Sequence, residues 1–386
     1  MKSKELARFG LLKMEIKRLQ LVNFRNYIQQ DVSFEKKINI FIGNNAQGKT
    51  SLLESIYVLS ISKSHKTNKD KEMIKFNEPF AKINAFLEKN EELNELELII
   101  SRQGKKAIIN SVEKPKISEY IGFFNVVMFA PEDLDIVKRD PSNRRKFLDV
   151  EIGQTSNLYV YELSQYNKLL RQRNEYLKQY YPGAPFDMTY LDVLTQQLAK
   201  FGTRILNKRL QFVEQLNKYA SELHHHISNE LETLEIKYES SYKESMTEAD
   251  ILALYKSCYQ DDLRRGVTTI GIHRDDLTFF VNGIDVSRFG SQGQQRTTAL
   301  AVKLSLIDFI KDATGYYPIV LLDDVLSELD DTRQTQLLDC IKDRVQTFVT
   351  TTNVSGIKDD IIQKADLFQI SQGQINRIEE GVIYGE

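Results

Sequence analysis

The sequence predicts an α/β fold built around a phosphate-binding loop and interrupted by a mainly helical insert. Three features predict it. The apolar strand Asn39-Ile40-Phe41-Ile42 runs into Gly43-Asn44-Asn45-Ala46-Gln47-Gly48-Lys49-Thr50, of the form G-x-x-x-x-G-K-T, and an amphipathic helix follows. A second apolar strand, Pro318-Ile319-Val320-Leu321-Leu322, ends in Asp323-Asp324. Between them, from about 135 to 265, glycine is sparse and Leu, Lys, Gln and Glu dominate.

Residues 1–13 read as a leader or a mis-assigned start, because Met14 opens a clean alternation of apolar and polar residues. Strands are expected at 15–22, 31–35, 38–42, 80–88 and 94–101, and a helix at 49–60. In the insert, Leu163, Tyr166, Leu169, Leu170 and Leu177 recur at helical spacing, as do Leu198, Phe201, Ile205, Leu210 and Phe212. Two long helices are expected there, broken near Tyr181-Pro182-Gly183-Ala184-Pro185. Strands return at 268–272, 277–281, 318–322, 346–350 and 367–370, with helices at 294–312 and 331–342. One lobe therefore comprises 14–135 with 266–386, and the insert 136–265 forms a second.

The chain's 386 residues carry 52 Lys+Arg against 54 Asp+Glu, and 41% of them are hydrophobic. That composition supports a packed core and excludes a disordered chain. A pI near 6.3 excludes a blanket nucleic-acid coat, so any such binding must use local basic patches. No apolar run is long enough to cross a bilayer, and the N-terminus lacks the apolar core of a signal peptide. Cys258 and Cys340 make neither a disulfide framework nor a metal-ligand spacing, which suits a reducing cytosol.

The chemistry centres on phosphate. Glycines let the loop backbone curl so that its N–H groups face phosphate oxygens, and the helix adds its positive end. Lys49 can reach the β- and γ-phosphates, and Thr50 can ligate Mg²⁺. The strand ending in two acids is expected beside the loop strand, with Asp323 holding the metal and Asp324 polarising the attacking water. A third segment, Gly290-Ser291-Gln292-Gly293-Gln294, opens a helical run as a second anion site. One phosphate loop already serves one nucleotide, so a second site makes sense capping the nucleotide of a partner chain.

The order of these motifs resembles a two-lobed ABC-type ATPase head of the SMC-like kind, a P-loop NTPase. More narrowly, the chain resembles the RecF family of bacterial recombination mediators. The resemblance adds Asn23-Phe24-Arg25-Asn26-Tyr27, Met128-Phe129-Ala130-Pro131-Glu132-Asp133-Leu134, Arg144-Arg145-Lys146-Phe147-Leu148-Asp149 and His273-Arg274-Asp275-Asp276. It continues through Gln295-Arg296-Thr297-Thr298-Ala299-Leu300 and Val325-Leu326-Ser327-Glu328-Leu329-Asp330, and covers 14 to about 372. It implies that Gly43 to Thr50 and Arg25 bind ATP, that Thr50 and Asp323 hold Mg²⁺, and that Asp324 is the catalytic acid with Lys49. Ser291, Gly293 and Gln294 match the signature that reaches the other protomer's γ-phosphate, and 327–330 match the loop along the dimer seam.

By the same resemblance, an ATP-dependent homodimer binds gapped DNA at single-strand/duplex junctions. It implies RecR as direct partner, RecO and RecA as indirect ones, and action in recombinational repair, replication restart and the SOS response. The setting implied is the cytoplasm, at the nucleoid. Transporter-type heads carry Glu where Asp324 stands, and the shorter side chain suits a weak, DNA-stimulated ATPase used as a switch. No switch histidine follows 347–350, where Thr351-Thr352-Asn353 stand; Ile272 replaces an expected proline; Gln103 is the nearest match to a glutamine loop. Another SMC-like head is the alternative, but position 50 to position 291 leaves 241 residues, too few for a long coiled-coil arm.

Basic residues supply the candidate DNA contacts: Lys63 and Lys66 after the loop helix, Arg144, Arg145 and Lys146 in a second cluster, and Arg171 and Arg173 on the insert beside Tyr166 and Tyr176. A pairing of Arg144 with a carboxylate such as Asp149 is the alternative. His224-His225-His226 point in different directions on a helix and read as a surface feature, not a chelate.

Overall fold

The structure, a computed structural model, describes residues 13–378 apart from 244, 343 and 354–356. The expected leader, save Lys13, and the chain beyond 378 lie outside the described residues. Two compact units are present: one joins the chain up to Asp133 with Lys303 onward, and the other is Leu134–Val302. The second junction is expected at 265/266 from the change in composition. Instead the division falls within a long helix, and the strand expected at 277–281 belongs to the second unit.

The first unit opens with β1 (Met14–Phe24), β2 (Tyr27–Ser33), β3 (Ile38–Ile42) and α1 (Lys49–Ile61). Then follow β4 (Phe80–Lys89), β5 (Glu92–Ser101), β6 (Gly104–Ile109), β7 (Val112–Glu113), α2 (Ile117–Tyr120) and β8 (Val126–Phe129). The second unit holds α3 (Leu134–Lys138), α4 (Pro141–Thr155), α5 (Asn157–Leu177), α6 (Met188–Ile227), β9 (Leu234–Glu239), α7 (Glu248–Ser257) and α8 (Tyr259–Arg265). It continues with β10 (Asp276–Val281), β11 (Ile284–Asp285), α9 (Val286–Phe289) and the first half of α10 (Gln292–Thr314). Back in the first unit come β12 (Ile319–Asp323), α11 (Asp331–Ile341), β13 (Thr347–Thr351), α12 (Asp359–Gln363), β14 (Ala365–Ser371) and β15 (Gln374–Arg377).

The first unit contains two six-stranded sheets. One has the order β2-β1-β4-β5-β6-β7 and is antiparallel. The other has the order β15-β14-β3-β13-β12-β8, with β14, β3, β13, β12 and β8 parallel. Strands covered on both faces read as continuous apolar runs, which is why β12 was legible: all five of its residues are buried. Phe41 of β3 stacks on Phe368 of β14, and Phe34 meets both edge-on, as it meets Phe348 of β13. The acid-bearing strand does not lie beside the loop strand as expected; β13 lies between them.

In the second unit α5 and α6 form a helical hairpin, and β9, β10 and β11 a small antiparallel sheet. The 40 residues of α6 make a rod of roughly 60 Å at 1.5 Å per residue. Leu191, Leu198, Ile205 and Phe212 recur every seven residues on its buried side. The break falls at the Pro/Gly loop, and Asp187 caps α6 by accepting from the Thr189 and Tyr190 N–H groups.

No strand forms at 268–272. Gly271 there has φ +127, and a Cβ on it would lie 2.5 and 2.6 Å from the hydroxyls of Tyr255 and Tyr166. Conversely, β6, β7, β8, β9, β11 and β15 form where no strand is expected from the sequence. The alternation in β9, Leu-Glu-Ile-Lys-Tyr-Glu, was hidden in composition that favours helix.

Candidate functional site

The phosphate loop joins the C-terminal end of β3 to α1. Two of its glycines are dictated by close approach: a Cβ on Gly43 would lie 2.5 Å from Ile370 O, and one on Gly48, at φ +120, 2.6 Å from Asn26 Nδ2. The loop is braced from both sides. Tyr27 donates to Gly48 O (2.9 Å) and Asn26 to Gln47 O (3.2 Å) from the β1–β2 turn. Gln372 N–H donates to Gln47 Oε1 (2.7 Å) and Gly373 N–H to Gln47 O (3.1 Å) from the β14–β15 turn. The Asn-Tyr pair that carried part of the resemblance is thus half of the loop's support.

Lys49 is buried, at 4% exposure, and its ammonium donates to Gly43 O (2.6 Å) and Asn44 O (3.3 Å). Gly48 offers α1 no capping side chain, and no acid stands in the first turn, so the helix end is open to an anion. Asn44, Asn45 and Ala46 are exposed around it. Asn45, Ala46, Gly48, Lys49 and Thr50 line an open cleft of 870 Å³, with Arg25, Asn26, Lys66, Ile74, Phe76 and Asp324.

Asp323 ends β12 nearly buried. It accepts hydrogen bonds from the Thr50 hydroxyl and from Thr350 (3.0 Å). Burial pushes its carboxyl above the usual range, while these bonds and the Lys66 charge pull the other way. A carboxylate against a threonine hydroxyl is a hard-oxygen pair that fits Mg²⁺. Asp324 sits in the left-handed region (φ 53), its N–H donates to Thr350 Oγ1 (2.9 Å), and its carboxylate is 4.0 Å from the Lys49 ammonium. Thr350 of β13, which sequence reasoning missed, fixes both acids. The inserted strand is what supplies it.

Arg25, at φ 54 in the β1–β2 turn, reaches Glu54 through two bonds (2.6 and 2.9 Å) and Glu72 O (2.7 Å). It stands at the cleft wall with its fork already oriented. Gln103 lies in the exposed β5–β6 turn and is not among the residues lining the cleft.

The signature segment is in the second unit. Ser291 Oγ accepts from Gln294 N–H (3.1 Å), and Gln294 Oε1 accepts from Ser291 N–H (2.9 Å). This reciprocal capping box opens α10. Gln294 also donates to Glu232 (2.8 Å), Gly293 lies in the first turn, and Ser291 is exposed.

The basic residues divide. Lys63, Lys66, Lys146 and Arg171 are exposed, and Lys66 lines the cleft. Arg171 lines an open groove of 360 Å³ with Lys168, Tyr176 and Tyr190. Arg145 is half-buried and donates to Asp275 O (2.7 Å). Arg144 is buried and pairs with Asp276 (2.6 and 2.9 Å), not with Asp149, whose partner is Arg209 (2.7 Å).

Arg173 is a correction. It is wholly buried, donates to Asp262 (2.8 Å), Thr195 (3.0 Å) and Thr268 (2.7 Å), and cannot present itself to a phosphate backbone. The reason is helical phase: Arg173 stands four residues from Leu169 and Leu177 on the buried stripe, whereas Arg171 is two away and faces out. His224 is likewise buried, near Thr298 and Glu232, while His225 and His226 are exposed. Only two of the three form the surface feature expected.

The fold and this site define an SMC-like ABC-type ATPase head: residues 15–374 match the RecF/RecN/SMC N-terminal domain family. An Smc head bound to the C-winged helix domain of ScpA shares that fold, with a TM-score of 0.52 at 15% identity over 95% of this chain and 98% of the other. A solved structure of the recombination mediator protein RecF with ATP, in the RecFOR pathway, is far closer: TM-score 0.88 and 32% identity over 96% of this chain and all of that one. The DNA replication and repair protein RecF of Geobacillus thermodenitrificans is 50% identical over 94% of this chain and 99% of its own length. That of Bacillus velezensis is 49% identical over 94% and 100%. The chain belongs to the RecF family.

Proposed function

We propose that this chain is an ATP-gated DNA-binding protein of replication and repair. The observation that carries the reading is the cleft wall: a buried lysine over a braced glycine loop, facing a threonine–aspartate pair. Gly43 to Thr50 would wrap the phosphates, with Lys49 exchanging its loop carbonyls for phosphate oxygens. Thr50 and Asp323 would hold Mg²⁺, and Arg25 would lie alongside. Bound ATP with Mg²⁺ supplies a hydrolysable phosphoanhydride whose charge the metal neutralises. Asp324, beside Lys49, would orient water for slow hydrolysis.

The signature turn of one copy, with Ser291, Gly293 and Gln294, would close on the nucleotide of a second copy. Exposed apolar side chains beside it support a seam there: Phe289, two residues before Ser291, is 75% exposed, and Leu231, adjacent to the Glu232 that accepts from Gln294, is 78% exposed. The closed dimer would grip gapped DNA through Lys63, Lys66, Lys146 and Arg171, with Arg145 at the margin. It would support RecA loading through RecR, with RecO, in recombinational repair, replication restart and the SOS response, acting at the nucleoid in the cytoplasm. No described helix is long and apolar enough to cross a membrane, which is compatible with that setting.

The test is fluorescence anisotropy of a labelled gapped duplex, with and without ATP and Mg²⁺, at two salt concentrations. Binding that needs ATP, weakens with salt and vanishes in Lys49→Ala supports the gate. Binding indifferent to ATP leaves only a basic surface. An absence of binding points to a head that acts on a protein partner.

A further inference from the structure

Phe76 is the most exposed large hydrophobic side chain among the described residues, at 87%. It is not on a loose segment. Lys75 O accepts from Glu78 N–H (3.0 Å), which places Phe76 at a corner of a tight turn with Asn77 at φ 66. That turn is tied to the β1–β2 turn by three backbone features: Arg25 N–H to Met73 O (2.9 Å), Lys75 N–H to Asn23 O (2.8 Å), and a bridge pairing Phe24 with Ile74. Asn23 Nδ2 adds a bond to Glu78 Oε2 (3.1 Å). The ring is therefore held in water by a rigid support, and it lines the same cleft as Lys49 and Thr50.

A cleft with cationic and N–H donors on one wall and a fixed aromatic ring on another matches a ligand that is anionic at one end and flat and apolar at the other. We propose that Phe76 is the base platform of the nucleotide site, stacking on the purine ring, with Ile74 as apolar support. The proposal rests on the ATP reading above and extends it to the base. Stacking accepts any π-face. Phe76 therefore separates nucleotides from inorganic polyphosphate, without separating adenine from guanine.

The experiment compares calorimetric titrations of ATP and of inorganic tripolyphosphate into the wild-type chain, Phe76→Ala and Phe76→Trp. Loss of a stacked base by alanine substitution should weaken ATP by about 5- to 150-fold and leave tripolyphosphate unchanged. The chain has no tryptophan, so Phe76→Trp carries a single reporter. It should bind ATP like the wild type, with emission quenched by ATP and not by tripolyphosphate. The proposal is overturned by wild-type ATP affinity in Phe76→Ala, by parallel loss of both ligands, or by unchanged Trp emission at saturating ATP. A loss that disappears at protein concentrations where the chain is monomeric also overturns it, placing Phe76 on a seam between copies. Failure of the wild type itself to bind either ligand defeats the ATP reading first, and is told apart by that.

Discussion

The Lys49 ammonium donates to the Gly43 carbonyl at 2.6 Å, so the loop's own backbone holds the charge that a phosphate would take over. Both ends of the loop are pinned, by Ile370 O against Gly43 and by Asn26 against Gly48. A rigid, preformed cradle needs little reorganisation on binding.

Lys49→Ala should therefore keep the fold and lose nucleotide. A charge-assisted contact of this kind is worth about 1.5–3 kcal/mol, or roughly 10- to 150-fold in affinity. Titration calorimetry reads the loss, and an unchanged thermal midpoint confirms that the loop still folds. Wild-type affinity in this variant would remove Lys49 from the site.

Ser291→Arg should bind ATP normally and stay monomeric with it, because a long cation would stand where the partner's phosphates arrive. Since Ser291 also caps α10, the same change should cost about 1 kcal/mol of stability. Sedimentation velocity with ATP separates the effects: a dimer at wild-type strength contradicts the cross-protomer role.

Asp324→Asn should hold the closed state, since its amide keeps the shape but no longer accepts a proton from water. The expected result is a stable dimer on gapped DNA with ATP. Monomers under those conditions would argue against the assignment.

Arg171 and Arg173 should part company. Arg173→Ala leaves Asp262 buried and unpaired, which typically costs about 3–5 kcal/mol, so its unfolding midpoint should drop steeply. Arg171→Ala should stay within about 0.5 kcal/mol of wild type while weakening DNA binding and reducing its salt dependence. Denaturant titration beside DNA anisotropy distinguishes them.

His273 should make the second unit acid-sensitive. Burial pushes its imidazole down to about 4. Thr268 O can only accept, so Nε2 carries the proton and Nδ1 accepts from the Tyr166 hydroxyl (2.9 Å). The unfolded imidazole protonates near the ordinary 6.5. Between that pH and about 4, the unfolded chain binds more protons than the folded one. The contribution is thus intact above pH 6.5 and is lost as pH falls towards 4. His273→Gln should flatten this part of the profile, read from unfolding midpoints at pH 7.5, 6 and 5; a slope unchanged by the substitution would contradict it.

The sequence alone determined the phosphate loop, the acidic strand end, the capped signature helix and the long helical hairpin. Each is a local matter: the spacing of Gly43, Gly48, Lys49 and Thr50, the apolar run before Asp323, and the period of the α6 stripe are all visible within a few turns of chain. Helical phase could even have placed Arg173 inside, since it shares the period of Leu169 and Leu177.

What stands beside the site is set by the folded arrangement of distant segments. It put Thr350 between the two acids by inserting β13 next to β3, braced the loop with Asn26, Tyr27 and Gln372, and set Phe76 on its cleft. It also turned Arg144 to Asp276 and Arg209 to Asp149. These partners are 21 to 325 residues apart in sequence or are fixed by strand order, and a linear pattern carries no record of which distant groups a sheet brings into hydrogen-bond reach.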